Sequence, residues 1–303
     1  MKRGLAIGVF LLVLVVSGPA QDLEPHAYSA SPVGLNFFVL GFGYSTGSVL
    51  FDPTLPVSNV KANLNIPAVG YGRTFGLLGR QALVTAGLPY VWGDISGDVA
   101  EQRESVRRSG LADVRVKLSV NLRGNPARSR AEFARLRKRS FIVGTSVTVS
   151  APTGQYDPAK LINIGTNRWA FKPELGISYP IKKKLDLDLY FGAWLFTHNA
   201  SYFPGNQVRR QDPVTTLQAH VSYTFRPRLW VAADMTWYRG GSTTVDQGVP
   251  TEEQNNSRAG VTFSTPIAKQ QSLKVAYAAG TTARIGSDFK TITIAWQYSW
   301  FDH

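Results

Sequence analysis

Cysteine is absent from the 303 residues, and histidine and methionine are scarce, at four and two. Without cysteine there is no disulfide framework, zinc thiolate site or thiol nucleophile, so stability has to come from burial and strand pairing. A lipid-anchored cysteine behind the N-terminal leader is excluded as well. The histidines His26, His198, His220 and His303 lack metal-ligand spacing, and neither HExxH nor Gly-x-Ser-x-Gly occurs. No metal or cofactor is expected. Long hydrophobic runs are missing too: after the leader, no segment supplies the roughly 18 consecutive apolar residues of a membrane-crossing helix. Acidic residues are the scarcer charge, 20 against 33 Lys+Arg, for a formal net charge of +13. Such an excess can mark nucleic-acid binding. Here the cations are scattered among turns and apolar positions, which fits anionic lipid head groups or anionic solutes better.

What is present begins with an export signal. Met1-Lys2-Arg3, an apolar stretch from Leu5 to Val16 and the small residues Ser17-Gly18-Pro19-Ala20 have the form of a signal peptide over 1–20, cut after Ala20. The stretch is too short for a spanning helix, which needs about 20 residues. The mature chain, 21–303, would then start with a short periplasmic lead-in, Gln21–Ala30.

The last strand, Ile292–Trp300, alternates strictly: Ile292, Ile294, Trp296, Tyr298 and Trp300 on one face, Thr293, Ala295, Gln297 and Ser299 on the other. The same dyad sets Val114, Val116, Leu118, Val120 and Leu122 against Asp113, Arg115, Lys117, Ser119 and Asn121. It predicts strands over Val33–Tyr44, Asn63–Arg73, Gln81–Val91, Leu111–Leu122, Phe141–Ala151, Trp169–Tyr179, Leu185–Phe196, Val214–Phe225, Arg228–Tyr238, Ser257–Ile267, Ser272–Gly280 and Phe289–Trp300. Most have the length of about 9–11 residues that a tilted membrane strand needs, longer than the roughly 5–6 of soluble strands. A soluble two-sheet sandwich also alternates. Connection length separates the two. Short links, such as Pro180–Lys184 and Arg226-Pro227, take turns with long polar ones, such as Ser45–Ala62, Trp92–Gly110 and Pro152–Arg168. The expected fold is therefore all-β, a 12-stranded antiparallel transmembrane β-barrel of outer-membrane type with short periplasmic turns and long extracellular loops.

Two features depart from that pattern. Arg123–Ser140 follows an even strand yet is long and basic; it reads as a short helix in which Phe133 and Leu136 pack beneath the barrel mouth, a possible periplasmic contact, or else as a solvated turn. Pro67, Pro89 and Pro173 fall in or near strands, where a missing N–H costs a ladder bond, so the second and sixth strands are expected either to bulge or to lie a residue or two from the bounds given.

The inward row carries Arg115, Lys117, Lys172, Glu174, Asp186, Asp188, His220, Asp234, Arg258 and Lys274. These charges either pair across a filled interior or line a solute path whose selectivity is set by charge. His220 and Ser222 share the polar face, the one arrangement that could serve a lipid hydrolase; no enzyme is expected, because that face points away from lipid. In the third long loop, Gly154, Asp157-Pro158, Asn163 and Gly165 supply turn chemistry. The loop is expected to fold inward as a constriction, with Tyr156, Asn163, Asn167 and Arg168 offering polar contacts, or else to form a packed external lid.

This loop and its flank, Gln155-Tyr156-Asp157-Pro158 and Leu161-Ile162-Asn163-Ile164-Gly165-Thr166-Asn167-Arg168-Trp169-Ala170-Phe171-Lys172-Pro173-Glu174, together with Asn255-Asn256-Ser257-Arg258-Ala259-Gly260, Ser272-Leu273-Lys274-Val275-Ala276-Tyr277 and Arg284-Ile285-Gly286-Ser287-Asp288-Phe289, resemble bacterial transporter-like outer-membrane proteins grouped under the meta-pathway of phenol degradation. The resemblance runs from Asp22 to Trp300. It implies a barrel in the outer membrane of a Gram-negative bacterium that passively moves small, often aromatic or hydrophobic, compounds. It carries over no substrate residues. The competing expectation is a structural or adhesive barrel whose lumen is closed by salt bridges. Outer-membrane lipid and a small solute are the partners expected, and no nucleic acid.

Overall fold

A strand with lipid on one side and a polar interior on the other must expose its apolar row and bury its polar one, the reverse of a soluble sheet. The computed structural model, which describes residues 24–50, 57–99, 102–135, 139–283 and 286–302, has this inverted pattern. Its strands are β1 (Leu35–Leu50), β2 (Val57–Leu77), β3 (Arg80–Val99), β4 (Gln102–Leu111), β5 (Arg115–Arg123), β6 (Ile142–Ser150), β7 (Ala170–Lys182), β8 (Leu185–Phe196), β9 (Asn199–Tyr202), β10 (Gln207–Gln211), β11 (Val214–Arg226), β12 (Leu229–Gly240), β13 (Thr243–Val245), β14 (Gln254–Ala268), β15 (Gln271–Thr282) and β16 (Gly286–Phe301). In β11, Leu217 and Val221 are each 43% exposed, while Thr216, Gln218, His220 and Ser222 between them are buried. No described helix is long and apolar enough to cross a membrane.

Twelve strands close a ring, each antiparallel to its neighbours: β1, β2, β3, β5, β6, β7, β8, β11, β12, β14, β15 and β16. The ring closes where β16 pairs with β1, from Leu35 opposite Phe301 to Leu50 opposite Gly286. Most strands keep the expected bounds within a few residues, and connections alternate between tight turns at one end and long segments at the other. One tight turn is Leu78-Gly79, where both residues have positive φ (49° and 74°), the twist a two-residue hairpin needs.

At the long-loop end the strands run further than expected. Much of the links at Ser45–Ala62 and Trp92–Gly110 is strand: β2 spans 21 residues and β3 spans 20. The reason is an exchange of polarity between the two faces of β2, whose even-numbered side chains point inward throughout. Near the short turns its inward row is Ala68, Gly70, Gly72 and Thr74, and Val69 and Tyr71 face outward. Beyond Pro67 the inward row becomes Val60, Ala62, Leu64 and Ile66, with Lys61 and Asn63 exposed. The second pattern belongs to a strand wetted on its outside, so this part stands clear of the membrane around an apolar core. Val91, Ile95, Phe289 and Ile164 complete that core. β4 pairs with the upper half of β3 and β5 with the lower half; the break at Ala112–Val114 divides one barrel edge into two pieces. Above the ring, β9, β10 and β13 form a small separate sheet from two of the long loops.

Several expectations are corrected. Pro67, Pro89 and Pro173 produce no bulge: Pro67 stays in register opposite Phe42 and Pro173 opposite Val147. The missing donors are accommodated on the other side, where β2–β3 pairing skips Ile66-Pro67 and β7–β8 pairing skips Lys172-Pro173. The strand does not end at Trp300. Phe301 pairs with Leu35, and Asp302 clasps the seam through Asn36 Nδ2 (2.8 Å) and Arg73 (2.8 Å). In the basic segment a five-residue helix, α1 (Arg130–Ala134), starts at a capping box between Ser129 and Glu132 and buries no residue; Phe133 is half-buried. Leu136, His303 and the leader 1–20 lie outside the described residues.

Candidate functional site

The site is the lumen, and the first residues to describe in it precede β1. The segment from Glu24 to Pro32 is not a free lead-in; it runs inside the short-turn end of the barrel. Tyr28 is 1% exposed, and its hydroxyl lies 2.9 Å from Ser146 Oγ and donates to Glu174 Oε1 at 3.0 Å. A Cβ at Gly144 or Gly176 would overlap the Tyr28 ring, so these two glycines on adjacent strands make its seat. The backbone is held as well: the His26 amide donates to Asp188 Oδ2 (3.1 Å), the Ala27 amide to the Tyr190 hydroxyl (3.1 Å), the Ser31 amide to Gln81 Oε1 (2.7 Å), and Asn121 Nδ2 donates to the Tyr28 carbonyl (3.2 Å). Below, the Val33 amide donates to the Arg128 carbonyl (2.9 Å), so the basic link is tied to this segment.

Above it lies a cavity of about 210 Å³, lined among others by Arg115, Lys117, Lys172, Glu174, Trp194 and Glu24. Inward positions of β5 and β7 place Arg115, Lys117, Lys172 and Glu174 there, β8 adds Trp194, and Glu24 comes from the N-terminal segment. Lys117 bridges Glu24 (3.0 Å) and Glu174 (3.6 Å), and Lys172 meets Glu174 at 2.9 Å. Glu174 also accepts from Gln218 Nε2 at 3.3 Å. The Lys117 ammonium beside Glu24 holds that carboxyl down to about 2. Arg115 lies 5.7 Å from the Trp194 ring centre, and Lys172 lies 5.8 Å from it.

Nearer the short turns sits a second polar group. His220 Nδ1 is 2.7 Å from Asp234 Oδ1, and Asp234 Oδ2 accepts from Thr262 at 2.6 Å. His26 packs edge-on to Trp230, and burial pushes its imidazole below the ordinary value against the pull of Asp188. Asp186 pairs with Arg139 from the basic link. His220 and Ser222 are both 0% exposed, and neither His220 Nε2 nor Ser222 Oγ has a hydrogen-bond partner. The bond between nucleophile and base that hydrolysis needs is therefore not formed here.

At the other end the third long loop turns inward, anchored by apolar residues: Ile164 is buried in the core of β2 and β3, and Ile162 packs against it. The break between β4 and β5 receives the loop. Asp113 accepts from the Gly154 amide (2.8 Å) and from the Thr166 amide (3.0 Å) and hydroxyl (2.6 Å). Tyr156 donates to the Ser201 carbonyl (3.0 Å) and accepts from Asn199 Nδ2 (2.9 Å), and Asn167 donates to Asn199 Oδ1 (2.9 Å). Asn163 closes the loop on itself through Asp157 and Lys160. Arg168 reaches Gln211 and lies over the Phe196 ring at 4.3 Å. Tyr156, Asn167 and Arg168 thus tie this loop to the next long one, and Asn163 braces it internally.

The structure brings Arg115, Lys117, Lys172 and Glu174 around one cavity and sets Asp186, Asp188, His220 and Asp234 below it. Lys274, level with Ser264, faces the lumen and acts electrostatically on Glu24. Arg258 stands apart near the long loops, donating to the Phe289 carbonyl at 3.0 Å. Sequence reasoning missed Glu24, Tyr28, Trp194 and Gln218. The paired inward glycines Gly144 and Gly176 were the available signal for Tyr28.

A family model described as "Putative MetA-pathway of phenol degradation" matches residues 41–296. None of the curated proteins matches the sequence. Among solved structures, an outer membrane channel from Pseudomonas putida F1 is similar in fold, with a TM-score of 0.76 at 20% identity over 92% of this chain and 100% of that one. The beta domain of a Bordetella autotransporter follows at 0.55 and 11% identity, over 88% of this chain and 100% of that one.

Proposed function

The chain belongs to the phenol-degradation family whose model spans residues 41–296, and we propose that this outer-membrane barrel is a passive channel for small molecules, exported through a signal peptide over 1–20 that is then removed, so that 21–303 forms the barrel. The observation that carries the reading is a solute-sized cavity at mid-lumen, bounded by Arg115, Lys117 and Lys172 and narrowed from the short-turn end by residues 24–32. Charged inward rows of this kind set selectivity in pores. Small, often aromatic or hydrophobic, compounds are the solutes that the family's description favours. Swelling of liposomes containing the purified protein tests it: monosaccharide-sized or smaller solutes enter at rates above protein-free vesicles, and equal rates for every solute defeat the reading.

A structural barrel with a closed interior is the second reading, supported by the Lys117–Glu24 pair between the barrel wall and the N-terminal segment and by the Lys117–Glu174 pair between β5 and β7. It predicts no swelling, even when those pairs are removed. Hydrolysis of lipid has no support from the His220 geometry, and no loss of lipid after incubation with the native protein is the matching expectation.

A further inference from the structure

The mid-lumen cavity carries an imbalance of charge. Its two carboxylates, Glu24 and Glu174, are both engaged by lysines: Lys117 holds the first, and Lys172 with Lys117 holds the second. The third cation, Arg115, meets no carboxylate among the described residues; its guanidinium lies against the Trp194 ring, 5.7 Å from the centroid. A guanidinium presents parallel N–H donors that match a carboxylate bidentately. Trp194 and Pro89 add flat apolar surface beside it, and the cavity volume of about 210 Å³ is below the usual range for drug-sized ligands, which limits an occupant to about one ring.

We propose that this cavity is a binding site for single-ring aromatic carboxylates, with Arg115 taking the carboxylate and Trp194 stacking against the ring. The site lies above the N-terminal segment, with Glu24 among its lining residues. The assignment rests on the channel reading and makes it specific: an anion of this class binds transiently on its way through, and its ring distinguishes it from simple inorganic anions. Lys117 and Lys172 are offset by Glu24 and Glu174, so the surplus positive charge of the cavity falls on Arg115.

The test uses the full-length protein in detergent micelles and benzoate as probe, with binding measured calorimetrically and the barrel checked by its heat-dependent shift in gel migration. Benzoate is expected to bind at least about tenfold more tightly than acetate, which lacks the ring, or benzyl alcohol, which lacks the charge. Arg115→Gln is expected to weaken benzoate by about tenfold or more, and Trp194→Leu to bring benzoate down to the level of acetate. Equal affinity for all three probes on the native protein overturns the site, whatever the variants do. So does unchanged benzoate binding in a folded Arg115→Gln barrel. Ion current through the same preparation separates the two claims: current without benzoate preference removes the site and keeps the channel, whereas benzoate binding without current keeps the site and removes the channel.

Discussion

Tyr28 fills a space that two glycines leave open, and that fit converts a short N-terminal segment into an internal obstruction. Ring burial in a core is worth on the order of 3 kcal/mol, so Tyr28→Ala should release much of the seating energy of residues 24–32. Gly176→Val should act in the same direction by occupying the seat. Both variants are expected to conduct more than the native protein in planar bilayers while keeping a native barrel; unchanged current in both would mean that the segment does not limit flow. His26 adds a pH dependence. Its seated form is held below the ordinary imidazole value by burial, with Asp188 and Asp186 opposing that shift and His220 and Arg139 reinforcing it. The seated state therefore favours the neutral ring, and seating is strongest above the ordinary value of 6.5 and weakens as the pH falls below it. Glu24, held to about 2, has its sign the other way round: its contribution is present above the ordinary carboxylate value and is lost only as the pH falls towards about 2. Acidification from pH 7.5 to 5 should thus raise conductance through His26 and not through Glu24, and His26→Gln should flatten that response. Neither residue was legible as a lumen contact, because a short segment without periodicity carries no sign of what it packs against.

At the scale of elements, the membrane-level parts of the strands were readable because lipid and lumen impose opposite demands on alternate residues. Where β2 and β3 leave the membrane, their outer face meets water and the demand reverses, so Val60 and Ala62 fell in an expected loop although they continue the buried row of Leu64 and Ile66. The prolines misled for a related reason. A bulge is the usual remedy in a closed sheet, but here the missing donor is absorbed by skipping a pair on one side. The third loop was expected either to constrict the lumen with polar contacts or to pack as an external lid; its hold on the barrel joins the Asp113 bonds to Gly154 and Thr166 with Ile164, 5% exposed among apolar neighbours. Ile164→Asp places a charge in that core and should detach the loop, at a local cost of several kcal/mol. Limited proteolysis of intact cells checks this: cleavage between residues 152 and 168 should accelerate at least about tenfold with the barrel retained, and unaltered protection would mean that the loop is held by its hydrogen bonds alone.

For the molecule as a whole, fold and family could be read from alternation, link length and one loop motif; of the residues that line the cavity, Arg115, Lys117, Lys172 and Glu174 stand on the expected inward row, whereas Glu24, Trp194 and Gln218 had not been singled out. What could not be read was the filling of the lumen. Side chains pointing inward from different strands meet according to barrel radius and stagger, and neither is written in any single strand. The segment entering from below also decides which charges are spent: Glu24 takes up Lys117, and the surplus that remains falls on Arg115. Single-channel recording in planar bilayers, comparing the native chain with one lacking residues 24–32, tests the central claim most directly. A passive channel narrowed by its own N-terminal segment gives small discrete current steps for the native protein and distinctly larger ones for the shortened chain. Folded barrels of both kinds that pass no current would contradict it.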